Sequence, residues 1–439
     1  MADVARLNPD FERRSYWSVT MPGLPDRSGR NLPDSTDVVV VGGGYAGITA
    51  ARELARRGVA VTLLEARTLG YGASTRNGGI VHPGYKWGPG ALVRRYGDEI
   101  ARILYGDTLR AFDTVRRLIA EEAIDCEFRE VGYSELAWSP RHLTAFHDEV
   151  ADLRSMGVAA HVVPKDRLRE EVGSDAYHGA LVVDVGGIVH PGKYFAGLAA
   201  AADRAGADLH EGVRARRIRR QADRHFVVET DRGSVRARDV ILATNGYTDR
   251  VVPTLRRRVI PIGSYIIATD PLPGSLVDEL SPRGRAFFDT KNFLFYWHVA
   301  KDRRMVFGGR ASFLPTSVDR TAAILYRGLQ QVHPQLTGRR VAFAWGGNVG
   351  FTSDRMPHVG RTSDGVAYAL GCCGTGVALM SHLGTAVGAW VAGGEAPALT
   401  RLPFPLVPAP YEGRPWFMPV VGEWYRLKDR LARPRGLRG

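Results

Sequence analysis

The chain has 439 residues, 44% of them hydrophobic, with three cysteines and a formal net charge of +13. That length suits two domains with sizeable cores. Three cysteines, Cys126 and the adjacent Cys372 and Cys373, exclude a disulfide framework or a metal cluster of recognisable spacing, so no metal is expected and the cysteines read as plain thiols.

No segment reaches the eighteen or so apolar residues of a membrane helix, and the first twenty residues carry Asp3, Arg6, Asp10, Glu12, Arg13 and Arg14 rather than an apolar leader. A cytoplasmic protein is expected. The basic charge is nearly all arginine, because only six lysines occur. Its runs (Arg214, Arg216, Arg217, Arg219, Arg220, then Arg256 to Arg258) are short and scattered, which reads as a solvated face rather than a surface for nucleic acid or membrane.

Residues 1–36 are polar and rich in Pro and Gly, and read as an N-terminal arm anchored by Tyr16 and Trp17. The organising element follows, DVVVVGGGYAGITAARELARRGVAVTLLE from Asp37 to Glu65. Asp37 to Val41 is a near-continuous apolar run, as in a parallel strand buried on both faces. Gly42, Gly44 and Gly47 fit G-x-G-x-x-G, which allows a tight turn, close approach of a pyrophosphate, and close packing of helix on strand. Tyr45 to Arg57 reads as a helix whose N-terminus suits a diphosphate, and Val59 to Leu64 as a second strand. Glu65 closes that strand, where an acid accepts ribose hydroxyls and argues against a 2′-phosphate. NAD and FAD both remain open at this point.

Gly70 to Gly90 has too many glycines for helix or strand, and reads as a long functional loop. Ala91 to Glu122 reads as one helix, with Leu104, Leu109, Phe112, Val115 and Ile119 on one side. The segments 131–138, 181–185, 226–230, 260–270, 293–299 and 305–308 read as strands of a separate sheet-rich region. Pro191 to Ala205 reads as a helix, and Val240 to Ala243 as a buried strand ending at Thr244-Asn245-Gly246. The strand 366–370, the turn Gly371 to Gly376 and the helix 377–391 form a second strand, glycine turn, helix unit. A flavin has two places that want a helix N-terminus, its diphosphate and its pyrimidine carbonyl, whereas NAD has one, so the duplication favours FAD.

Beyond it, 402–415 is proline-rich, and Val420, Trp424, Leu427 and Leu431 recur at helical spacing. This stripe is narrow and its polar face mixes charge signs, so the tail helix is expected to pack on the protein's own body, with Trp17 of the arm as a possible neighbour, rather than on a membrane surface.

Four segments, VVVVGGGYAGITAARELARRG with Glu65, GASTRNGGIVHPG, WGGNVGFTSDRMPHVG and ALGCCGTGVALMSHLG, resemble the D-amino-acid-oxidase-like superfamily of FAD enzymes. The resemblance spans roughly residues 15–425, and Arg76-Asn77-Gly78-Gly79, Ala243 to Gly246 and Trp345-Gly346-Gly347 look most like its gamma-glutamylputrescine oxidase branch. It implies an α/β fold, a Rossmann-like FAD-binding domain (37–125, 186–255 and 340–400) with a sheet-rich α+β substrate domain (126–185 and 256–339), between the arm and a 401–439 tail.

The FAD site implied comprises Gly42, Gly44, Tyr45, Ala46 and Gly47; Glu65, Ala66 and Arg67; Gly72, Ala73, Ser74, Arg76, Asn77, Gly78 and Gly79; Val213; Thr244, Asn245 and Gly246; and Gly374, Thr375, Gly376 and Val377. The residues that tether flavin in some relatives correspond here to Gly347 and to Arg76 and Asn77, so a non-covalent flavin is implied. Val349 stands where glycine oxidase-like enzymes carry a carboxylate-binding arginine, and Val306 where sarcosine oxidases carry a lysine linked to oxygen.

The implied reaction is hydride transfer to flavin N5 from a carbon bearing a neutral amine, then hydrolysis of the imine, with O2 or a quinone as electron acceptor. No catalytic base is assigned. His82, Tyr265, Tyr296, Trp297 and Trp345 are candidates for the pocket wall, since aromatic faces suit an alkylammonium. A tRNA-acting flavoprotein and a non-catalytic flavin-binding protein are the rival readings.

Overall fold

The computed structural model describes residues 7–310, 316–408 and 410–432; residues 1–6 of the expected arm and 433–439 of the tail lie outside them. The strand Ser35–Val41 sits inside an eight-stranded sheet, flanked in parallel by Val61–Leu64 and by Gly233–Leu242. Its side chains alternate between two cores. Val38 and Val40 pack beneath the helices, whereas Val39 and Val41 meet Phe226, Val228 and Val235 of an antiparallel extension. Strands buried on both faces need such continuous apolar runs.

A second eight-stranded sheet runs, in order, through Val341–Phe351, Ile260–Thr269, Met305–Gly309, Phe295–Val299, Ala286–Asp289, Tyr133–Leu136, Gly179–Val183 and Ala160–Pro164. Strand alternation divides its side chains. Leu136, Phe287, Trp297, Phe307 and Ile267 form a core with the helix Val318–Val332 on one face. Tyr133, Glu135, Phe288, Tyr296, Ser264 and Val349 belong to the other, which borders a cavity.

Four sequence expectations need correction. The strand 226–230, expected in the separate sheet-rich region, pairs antiparallel with Gly233–Leu242 in the first sheet. The strand Val341–Phe351 pairs with Ile260–Thr269 in the second sheet, so it does not belong with the nucleotide-binding segments grouped as 340–400. The helix expected from Ala91 to Glu122 is two, Pro89–Tyr96 and Asp98–Glu121, because Gly97 turns the chain at φ +83, a conformation that side chains other than glycine's rarely adopt.

The tail helix, Met418–Leu431, docks by the opposite face from the one expected. Its Asp429 carboxylate accepts from the backbone N–H groups of Asn292 and Phe293, at 3.0 and 2.9 Å, and Met418 and Gly422 are buried. The stripe Val420, Trp424, Leu427 and Leu431 points outward, 47–77% exposed. Satisfying two backbone donors outweighs covering a narrow apolar stripe here.

Trp17 is elsewhere, 1% exposed, in a T-shaped contact with Trp345 and stacked beside His298. Its Nε1 donates to the Asn77 carbonyl at 2.8 Å, while Ser15 Oγ donates to Thr75 O at 2.7 Å. The arm thus holds the glycine-rich loop from outside. Trp17→Ala is expected to destabilise the protein by about 3–5 kcal/mol in urea unfolding, and to raise hydrogen exchange at residues 73–79 more than elsewhere. Unchanged exchange in that loop would contradict the clamp.

Candidate active site

At the end of Ser35–Val41 the chain turns at Gly42, φ +107, whose added Cβ would lie 2.9 Å from Ala243 O. Gly47 brings helix Tyr45–Arg56 onto this turn so closely that a Cβ there would sit 1.8 Å from Gly42 O. Glu65 spans the adjoining loop: its carboxylate accepts from Gly43 N and Arg67 N, each at 2.8 Å. Burial raises its pKa, and those two backbone bonds oppose the rise.

The loop between the second strand and Pro89 is pinned by its own side chains. Ser74 Oγ accepts from Tyr45 N at 2.9 Å, using one of the free donors at the helix N-terminus. Asn77 donates to the Ala73 and Ser74 carbonyls and accepts from Gly79 N at 2.8 Å. Arg76 donates to Tyr71 O and to Gly346 O, and lies over the Tyr71 ring. Both residues are occupied in shaping the loop.

The second unit closes against the first. Asn245, at φ +42, accepts from Gly371 N at 2.9 Å through Oδ1, and its Nδ2 donates to Cys372 Sγ. Helix Gly376–Val391 lies on helix Tyr45–Arg56 through glycines: a Cβ at Gly384 would be 2.2 Å from Ala46 O, and one at Gly388 2.8 Å from Ala50 O. The N-terminal turns of both helices consequently open into one cavity of about 780 Å³.

Of the residues expected to hold the cofactor, all but Gly47, Gly79 and Gly246 line this cavity, joined by Gly43, Leu64 and Tyr247. Those three shape it from behind. Gly47 seats the helix, Gly79 turns the loop at φ +73 beneath Val189 O, and Gly246 packs against Asn348 and Gly350 of the neighbouring strand. A dinucleotide flavin fits what is present: an acid for ribose, two helix N-termini, and a turn at Gly374 (φ +106) where a Cβ would meet nothing within 4 Å.

Two of the five residues expected at the pocket wall line this cavity. His82 lines the cavity, against the Tyr133 and Phe288 rings, and so does Tyr296, whose hydroxyl pairs with Ser264 Oγ at 2.9 Å. Trp297 and Tyr265 are on the reverse face, Trp297 in the second core and Tyr265 over Gly346. Trp345 shares the cavity-side face but is covered by the arm, its Nε1 donating to Arg76 O at 3.0 Å. Adjacent strand residues cannot share a face, so Tyr296 excludes Trp297. That period could have been read in advance.

The same reasoning missed Tyr133, Glu135 and Phe288, and four more lining residues from separate segments: Lys86, Tyr105, Glu149 and Arg310. Val349 lines the cavity, and so does Arg310, the residue after Met305–Gly309, which donates to Asn292 O. No local pattern marks a lone arginine after a strand.

Comparison with known proteins agrees with this arrangement. Gamma-glutamylputrescine oxidoreductase of Escherichia coli (strain K12) is 32% identical over 95% of this chain and 98% of its own. Among solved structures, glycine oxidase from Geobacillus kaustophilus superposes with a TM-score of 0.71 at 22% identity, covering 84% of this chain and all of that one. L-proline dehydrogenase from P. horikoshii gives 0.69 at 20% identity, over 84% and 96%. These two likenesses show the fold. Residues 37–390 match the family DAO, described as FAD dependent oxidoreductase. The chain belongs to the DAO family of FAD-dependent oxidoreductases.

Proposed function

We propose that this protein oxidises a primary or secondary amine to an imine, which water hydrolyses to a carbonyl compound and the released amine. One observation carries the reading: the cavity lined by Glu65 and the two helix N-termini is lined also by the aromatic side chains His82, Tyr133, Phe288 and Tyr296 and by the acids Glu135 and Glu149. Aromatic faces suit an alkyl amine or its ammonium, and burial raises the Glu135 and Glu149 carboxyls toward their neutral, hydrogen-bonding forms. The likeness to gamma-glutamylputrescine oxidoreductase supports the same class.

FAD, when bound, supplies the hydride acceptor. Gly42, Gly44, Glu65, Ser74 and the turn Gly374 to Val377 would hold it, without a covalent tether. Cys373 lines the cavity, but burial pushes its thiol up to about 12, which leaves it a poor nucleophile. The protein's part at the substrate is orientation and proton balance. His82 Nδ1 contacts the Pro83 carbonyl at 2.8 Å, and a carbonyl only accepts, so the neutral ring carries its proton there and leaves Nε2 free. Burial lowers the ring's pKa, so it adds no positive charge opposite an incoming amine.

Anaerobic mixing with primary and secondary amines is expected to bleach the flavin, and acid precipitation to release all of it. The bleaching rate should rise with pH and track each amine's own pKa, because the neutral amine reacts. A rise at one fixed pH for every amine would assign the limb to a protein group instead, and no bleaching by any amine would remove the class.

A second reading passes the electrons to a quinone at a membrane surface, and the outward stripe of the tail helix favours it, with Trp416 and Trp424 64% and 55% exposed. Lys428 lies over the Trp424 ring. Among the described residues, no helix is long and apolar enough to cross a membrane. Sedimentation with anionic vesicles that is lost on deleting residues 416–439 supports this reading, and no sedimentation of the full chain ends it.

A further inference from the structure

We infer that a second, outer cavity is the binding site of the electron acceptor, and that the ligand it takes is a quinone ring. The inference rests on the amine-oxidising reading, in which an acceptor must reoxidise the cofactor, and adds to it the place where the electrons leave.

This cavity, about 890 Å³, lies between the N-terminal arm and the edge of the second sheet. Its size is that of a small-molecule site. Tyr71, Arg76, Tyr247, Gly263 and Gly347 line both this cavity and the one that fits FAD, so a single layer of protein divides the two.

Glycine makes that layer thin. The edge strand Val341–Phe351 pairs with Ile260–Thr269 so that Gly263 opposes Asn348, Ser264 opposes Gly347 and Tyr265 opposes Gly346. Three of these six positions carry no side chain. Strand alternation sends Ser264 inward, where its hydroxyl pairs with Tyr296 of the aromatic wall, and Tyr265 outward. The Tyr265 ring lies against bare backbone there: a Cβ would meet it at 2.6 Å from Gly346 and at 2.8 Å from Gly263.

The partition selects the chemistry. A hydride acceptor must touch the ring that gives the hydride, whereas electrons cross a short gap without a bond forming, so a ligand of the outer cavity accepts electrons. Dioxygen needs no cavity of this size. Tyr71, Tyr247 and Tyr265 offer it ring faces, Tyr247 with 38% of its surface exposed, and a planar ligand stacks on such faces. The Arg76 guanidinium, held by Tyr71 O and Gly346 O, offsets the negative charge that a quinone gains as electrons arrive. The quinone takes two electrons from the reduced cofactor and two protons, one from the reduced ring and one from water, and leaves as the quinol, both carbonyls having become hydroxyls.

The test uses holoenzyme and menadione, 2-methyl-1,4-naphthoquinone. Calorimetry on the oxidised holoenzyme, where no electrons move, is expected to show menadione binding. Tyr265→Ala should weaken it about three- to tenfold, the worth of one stacked ring, and Tyr265→Phe should leave it unchanged. Ser18→Trp, at an exposed arm position that lines the same cavity, should weaken it by filling the space. Stopped-flow reoxidation of the dithionite-reduced enzyme by menadione should slow in Tyr265→Ala and Ser18→Trp, while their FAD absorbance and anaerobic reduction by amines stay as in the parent.

Menaquinone in vesicles, the same ring on an isoprenoid tail, separates the sources: reoxidation by both forms assigns a membrane-borne ring, and reoxidation by menadione alone a diffusible one. No menadione binding overturns the acceptor site, as do binding and reoxidation unchanged in both Tyr265→Ala and Ser18→Trp. Because dithionite replaces the amine, these results leave the amine reading standing, and failure of every amine to reduce the flavin leaves the acceptor site standing.

Discussion

The contact on which the active site depends is the backbone-to-backbone approach of two helices. Helix Tyr45–Arg56 and helix Gly376–Val391 start at opposite ends of the chain's sequence, yet each offers a free N-terminus to the same cavity. They can do so because Gly384 and Gly388 lie directly over the Ala46 and Ala50 backbone, with no room for even one methyl group. Helix axes separated by ordinary side chains would stand several ångströms farther apart, and the two dipoles would no longer converge on one ligand.

Around that contact the remaining parts have separable tasks. The parallel strands of the first sheet present Gly42 and Glu65 at their ends, where ligands of such strands bind. Loop 72–79 is held from inside by Asn77 and from outside by Trp17 and Ser15. The second sheet contributes a wall, whose chemistry follows from strand alternation: one face is hydrocarbon core, and the other carries Tyr296, Phe288, Tyr133 and Glu135 into the cavity. One face of the second sheet therefore lines the cavity while the other packs a core.

Much of this was legible in the sequence where signals are local. The strand, turn, helix and acid from Asp37 to Glu65 each have a short-range pattern, and the second glycine turn repeats it. What escaped was set by tertiary geometry. Tyr265 and Trp297 are aromatic residues on plausible strands, but which face a strand turns inward depends on its partners. Arg310 and Glu149 reach the cavity only because a strand end and a helix converge there. Apolar periodicity in the tail says which residues share a side, not which side docks; Asp429 decides that.

Gly384→Ala tests the central contact with the smallest possible change. A methyl group there meets Ala46 O and Thr49 Oγ1, both 2.2 Å away, so the helices must separate. The measurement is the FAD dissociation constant of the refolded apoprotein, set beside its urea midpoint. The account predicts FAD affinity weakened by at least about tenfold, beyond any loss of stability, because both helix N-termini retreat from the ligand together. A variant that folds normally and binds FAD with unchanged affinity would contradict it.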